Sequence, residues 1–235
     1  MFGSLIRDVV DFHGDLVRNI KGVRQSQDLF DDLSPDPADR AIAVAAESAT
    51  RIPTAAAMIT RPFDYGTVIT YPFLPQNWQE TRFSDGLAYG VWYGSLQLET
   101  TVHETGYHWH RFVMDSFAAE DREIVGERRV LDVRCDAIVV DLRGAEKQEP
   151  RLTDRHDYGY TQRLGRYLRE QAQNGLLLRS ARHAGDNAAI LHAAALSDVR
   201  EKCFLTYRMN PLRDEVAVER APGRCWLRLR PSALG

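Results

Sequence analysis

Apolar residues recur at three- and four-residue intervals at the start of the chain: Phe2, Leu5, Ile6, Val9, Phe12, Leu16, Ile20 and Val23. That is helical spacing, and it predicts an amphipathic helix over residues 2–23. The turn cluster Ser34-Pro35-Asp36-Pro37 ends the region. Asp36 is suited to cap a second helix with Pro37 in its first position, running through an Ala-rich stretch to about Arg51. Short β-prone runs follow at residues 67–71, 89–93, 129–133 and 138–142. A helix is predicted over residues 96–117 and another over 158–173, the latter stopped by Asn174-Gly175. Residues 176–178 read as a buried strand, and 204–209, 216–219 and 226–229 as late antiparallel strands. The irregular spacing of these strands argues for an α+β fold rather than a regularly wound βαβ sheet. No repeat or low-complexity segment interrupts the pattern.

Composition changes this picture little. The 235 residues are 44% hydrophobic and 27% charged, an ordinary balance for an ordered globular chain. The net charge of −3 lacks the basic footprint of a nucleic-acid binder. Of the 30 basic residues 27 are arginine, the better fork for phosphate and carboxylate, although codon bias would produce the same excess. Three distant cysteines, Cys135, Cys203 and Cys225, form no CxxC pair, so reduced core thiols in a cytoplasm are expected rather than a disulfide framework. No apolar run reaches membrane-spanning length, and the N-terminus does not read as an export signal.

The common catalytic motifs fail. Neither GxxxxGK[ST] nor a GxGxxG following a strand is present, and there is no GxSxG elbow. His103 and His108 are five residues apart, placing them about 140° from each other around a helix, so one face cannot bring both to a metal. Solvated helix histidines, and no metal site, are expected. What remains is a spaced polar set: Arg82 in a turn, Tyr93 ending a strand, Glu104 in the next helix and Ser180 after a strand, with Arg61 upstream and Arg182-His183 downstream. Glu104 lies about 200° from the apolar row Val102, Trp109 and Val113, so it faces either solvent or a cleft. Taken singly, each of these residues is an ordinary surface or packing position, and periodicity alone does not select them.

As an ordered set they resemble a RES domain from about residue 61 to 209. The resemblance is carried by Arg61, Arg82-Phe83-Ser84-Asp85-Gly86, Val91-Trp92-Tyr93, Glu104 within Thr100-Thr101-Val102-His103-Glu104-Thr105, and Leu176-Leu177-Leu178-Arg179-Ser180-Ala181-Arg182. The pattern divides the chain into a helical extension over 1–60 and a catalytic domain over 61–235. Pro62 follows Arg61 where the family more often has an aromatic.

The resemblance implies a mixed, mostly antiparallel sheet with flanking helices, similar to ADP-ribosyltransferases. It also implies a bacterial toxin that acts on NAD+ as substrate, with no bound cofactor, and passes ADP-ribose to water, phosphate or, in the mono-ADP-ribosyltransferase alternative, a protein. In such a site Glu104 would stabilise the oxocarbenium-like ribose, Arg61 and Arg82 would hold the pyrophosphate, and Arg182 would help bind the substrate. Tyr93 would offer a flat face to a base, and Ser180 a hydrogen bond to the substrate rather than a nucleophile. The implied partner is a cognate antitoxin, often with a DNA-binding domain, and a homodimer is compatible. A nucleotide-binding module without turnover and a toxin nuclease are the readings from other classes.

Overall fold

The structure, a computed structural model, describes residues 2–22 and 65–235, together with Ile42. The first element is a strand, β1 (Val9–Lys21). Then come α1 (Tyr65–Thr70), the two-residue strands β2 (Glu80–Thr81) and β3 (Ser84–Asp85), β4 (Trp92–Ser95) and the long helix α2 (Leu98–Phe117). A bent strand β5 (Ile124–Asp141) precedes α3 (Gly159–Glu170). The chain finishes with β6 (Gly175–Arg179), β7 (Asp186–Ile190), β8 (Leu196–Met209), β9 (Val216–Ala221) and β10 (Arg224–Leu229). The α+β expectation holds: apart from the two-residue β2–β3 pair, the strands form one sheet in the order β1-β4-β7-β6-β5-β8-β9-β10. Its pairs are antiparallel except β5 with β6.

The helix expected over residues 2–23 is corrected to a strand. Residues 3–6 form turns, and β1 pairs with β5 in thirteen successive positions, from Val9 opposite Val140 to Lys21 opposite Arg128. Phe12, Leu16 and Ile20 are spaced by four, which satisfies a helix, but they also share one face of a strand, where the period is two. The β-branched Val9, Val10, Val17 and Ile20, interrupted by Gly14 and Asn19, favour the extended form, and the sheet rewards it. The expected helix of residues 37–51 lies outside the described residues, as does the boundary placed at residue 60.

β1 also meets β4 at Val17 and Ser95, so β1, β4, β7, β6 and β5 close into a ring of pairings. Each strand of the ring contributes to one apolar cluster: Leu16, Trp92, Leu131, Val133, Leu177 and Ile190, with Val68 of α1 packed among them. Residues 67–71 were expected as a strand because of Thr67, Val68 and Ile69; they are mostly helix α1 instead, tied down by Trp92 Nε1 donating to the carbonyl of Val68 at 2.9 Å. Two further clusters flank the ring. Helix α2 buries Val102, Trp109 and Val113 against Val130, Leu205, Tyr207 and Val218. Helix α3 buries Leu164 and Leu168 against Phe83, Tyr89 and Leu176. Among the described residues no helix is long and apolar enough to cross a membrane. All three cysteines are free: Cys135 is buried, but Cys225 is exposed and so is not a core thiol.

Candidate active site

Helix α2 leaves Glu104 off its apolar stripe, and the side it faces is a cleft. A cavity of about 360 Å3 opens there, lined among others by Arg18, Arg82, Tyr93, Glu104, His108, Tyr158, Arg182 and Asn187. That volume lies within the range of small-ligand sites. Its walls come from β1, the turn after β2, β4, α2, the loop after β6, and β7.

Glu104 is held on both oxygens. Ser180 Oγ donates to Oε1 at 2.5 Å and Asn187 Nδ2 donates to the same atom at 2.9 Å, while Arg182 Nη1 stands 3.4 Å from Oε2. Ser180 also organises the loop behind it, its Oγ accepting the backbone N–H groups of Arg182 and His183, each at 3.1 Å. The cavity wall runs from Leu178 and Arg179 to Ala181 and Arg182 without Ser180. In this structure the Ser180 hydroxyl is directed at the Glu104 carboxylate. Arg182, with only 1% of its side chain exposed, stacks over Tyr107 at 3.8 Å. Burial works to lower its pKa, but Glu104 and the hydroxyls of Tyr158 and Tyr107 outweigh that and raise it.

Arg82 sits in the turn between β2 and β3. Gly86, at φ +76°, follows β3 and packs across β2, where a Cβ would lie 2.7 Å from the backbone of Gln79 and Glu80. The Arg82 guanidinium donates from Nη1 to the carbonyls of Asp154 (2.7 Å) and Leu152 (3.3 Å) and lies over Tyr158. Burial lowers its pKa. Tyr93 is buried enough to push its hydroxyl up to about 12. That hydroxyl accepts from Phe83 N and donates to Thr81 Oγ1, which leaves the ring, not the proton, for a ligand. Arg61 lies outside the described residues.

Arg18 and Asn187, as well as Tyr158, escaped the sequence reading. Arg18 comes from β1, in the segment expected to be a helical extension. Its Nη1 donates to the carbonyl of Tyr93 at 2.5 Å, it lies over Trp92, and burial lowers its pKa to about 10. Asn187 comes from β7, whose sequence Asp-Asn-Ala-Ala-Ile carries almost no strand signal. His108 follows Glu104 by one helical turn and joins the cavity wall while remaining exposed. Desolvation, then Arg182, hold its pKa below the usual imidazole range.

The electrostatics are lopsided. Arg18 Nε, Arg82 Nη2 and Arg182 Nε are buried and have no hydrogen-bond partner among the described residues. Four arginines, Arg18, Arg82, Arg179 and Arg182, line the cavity with two carboxylates, Glu80 and Glu104. An excess of guanidinium over carboxylate around one cavity favours an anionic guest.

A family model, the RES domain, matches residues 48–210. The chain belongs to the RES domain family. The match begins inside the stretch that the sequence reading treated as an extension, and it contains Arg82, Tyr93, Glu104, Ser180, Arg182 and Asn187. Arg18 is supplied to the RES site from outside the matched segment. No curated protein matches the chain. Among solved structures, the crystal structure of the M. tuberculosis MbcT-MbcA toxin-antitoxin complex is similar at 13% sequence identity, covering 88% of this chain and 89% of that chain with a TM-score of 0.44.

Proposed function

We propose that this RES domain cleaves the nicotinamide–ribose bond of NAD+ and acts as a toxin whose cavity is closed off by an antitoxin. The observation that carries the reading is the excess of guanidinium in the cavity lining: Arg18, Arg82, Arg179 and Arg182 against Glu80 and Glu104. A pyrophosphate supplies two negative charges and several acceptors, and it matches planar forks better than any single phosphate ester would.

The chemistry then falls to Glu104. Breaking the N-glycosidic bond sends the bonding electron pair to the nicotinamide nitrogen, neutralising the pyridinium, and leaves positive charge on the ribose. A carboxylate fixed by Ser180 and Asn187 faces that charge without having to reorganise, which is where electrostatic stabilisation is largest. Water or phosphate then forms the new bond to the anomeric carbon and releases a proton. The Tyr93 and Tyr158 rings provide faces against which a base can stack. Membership in the RES domain family supports the toxin and antitoxin roles.

The test is incubation of the purified chain with NAD+, with and without phosphate, measuring nicotinamide and the ribosyl product. Nicotinamide release is expected, and Glu104→Gln should lower it by ~10²–10³ while leaving the fold intact. No release in either buffer, with labelled ADP-ribose instead transferred to a protein in cell extract, would replace hydrolysis or phosphorolysis with protein modification. Equal turnover in a folded Glu104→Gln variant removes Glu104 from the reaction.

A further inference from the structure

Beside the cavity, and sharing none of the residues that line it, three side chains converge from two segments. Glu99 and His103 lie one turn apart on α2, and His183 comes from the loop after β6. One ligand atom from each lies within 4.8 Å of the others. The two imidazoles stack with centroids 4.4 Å apart. We propose that Glu99, His103 and His183 form a divalent-cation site of the zinc type.

Each imidazole is anchored by Nδ1, which leaves Nε2 for a ligand. His103 Nδ1 donates to the Glu99 carbonyl at 2.9 Å. His183 Nδ1 lies 2.9 Å from Thr100 Oγ1. Orientation of a histidine through its second nitrogen is the support that metal ligands ordinarily receive. His183 Nε2 stands 3.8 Å from Glu99 Oε1, too far for a hydrogen bond. The same gap suits two atoms straddling one ion at Zn–N and Zn–O distances of about 2.0–2.2 Å. The remaining closure falls to Glu99, whose side chain is half exposed and free to move. Two imidazoles and a carboxylate with an open fourth position are a known zinc donor set.

Loading has a cost. Gly185 N–H donates to His183 Nδ1 at 3.1 Å. With a cation on Nε2 the ring proton transfers through solvent to Nδ1, Thr100 Oγ1 accepts it, and Gly185 gives up its bond. His183 is also one hydrogen bond from Ser180, and Ser180 one more from Glu104. A cation would therefore fasten the 180–185 loop to α2 at the point where that loop steadies the carboxylate.

The sequence argument against a metal considered only His103 and His108, which do not share a helix face. It could not see that the fold brings in His183 from eighty residues away.

The experiment is a calorimetric titration of the metal-stripped chain with Zn2+ alone, alongside thermal melts with and without the ion. The expected result is one ion per chain and a melting temperature raised by Zn2+. His103→Ala and Glu99→Gln should each weaken binding by roughly tenfold or more and abolish the thermal shift. His110→Ala, on the same helix but outside the cluster, should leave both unchanged. No binding to the native chain overturns the proposal, and so does binding of equal strength in both cluster variants. None of these readings depends on turnover of NAD+.

Discussion

At the scale of single residues, the cavity asks one question of each arginine: which partner neutralises it. Arg182 has Glu104, whereas Arg18 has a carbonyl and an indole face. A buried cation without a counterion burdens the free fold, and relief of that burden should appear when the charge is removed. Arg18→Met is therefore expected to raise the melting temperature and to raise KM for NAD+ by about tenfold or more, the scale of a lost hydrogen bond to a charged group. A lower melting temperature with unchanged KM would assign Arg18 a structural role only. His192 carries a different kind of prediction. Burial first, then Arg169, whose Nη1 lies 2.8 Å from its Nε2, hold it below the usual imidazole range. The unfolded chain, with an imidazole near pKa ~6.5, then binds the proton more readily than the folded one. The stability contribution is complete above about pH 6.5 and is lost as pH falls from there toward the folded value. Urea unfolding at pH 7.5 and 5.5 should show that loss, and His192→Gln should make it smaller. An equal loss in the variant would show that other groups carry it.

At the scale of elements, packing sometimes reverses what propensity favours. Gly165 sits inside α3, where alanine would ordinarily add up to ~1 kcal/mol of stability. Here a Cβ would come within 2.0 Å of the Phe83 carbonyl, beside Arg82. Gly165→Ala should instead destabilise by about 1–3 kcal/mol and weaken NAD+ binding through the displaced turn. A stabilised variant in denaturant titration would contradict this close approach. The same override explains what the sequence could and could not reveal. Helices α2 and α3 were legible within two or three residues of their ends because their apolar rows have one period only. The stretches expected at 129–133 and 138–142 were legible as strand but are a single strand β5, since the intervening Cys135, Asp136 and Ala137 stay paired with β1. Around Phe12, Leu16 and Ile20 two periods coincide, and pairing with β5 chose between them. Strand β7 had almost no signal to find: its alanines Ala188 and Ala189 are buried between β4 and β6, and alanine has little strand propensity. In the site, Arg82, Tyr93, Glu104 and Arg182 were selected by family resemblance and meet at one cavity. Arg18 was hidden by the misread strand, and Asn187 by the missing one.

At the scale of the molecule, the RES match ends short of what the fold uses. Strand β1 lies before residue 48, and β9 and β10 follow residue 210. Leu16 and Val17 are buried, and β5 would present an open edge without β1. Removal of residues 2–22 should therefore abolish the cooperative thermal transition seen by circular dichroism. A truncated chain that melts cooperatively near the native temperature would show the first strand to be dispensable.

The ring of pairings also sets an order in time. Strand β1 is made first but must wait for residues 128–140, which leave the ribosome about 5–20 s later at ordinary synthesis rates. Arg182 and Asn187 follow later still. Until roughly residue 190 has emerged, neither the ring nor the cavity can close, so the growing chain passes most of its synthesis without a working site. An antitoxin of the kind proposed would have that interval in which to be present before it is needed.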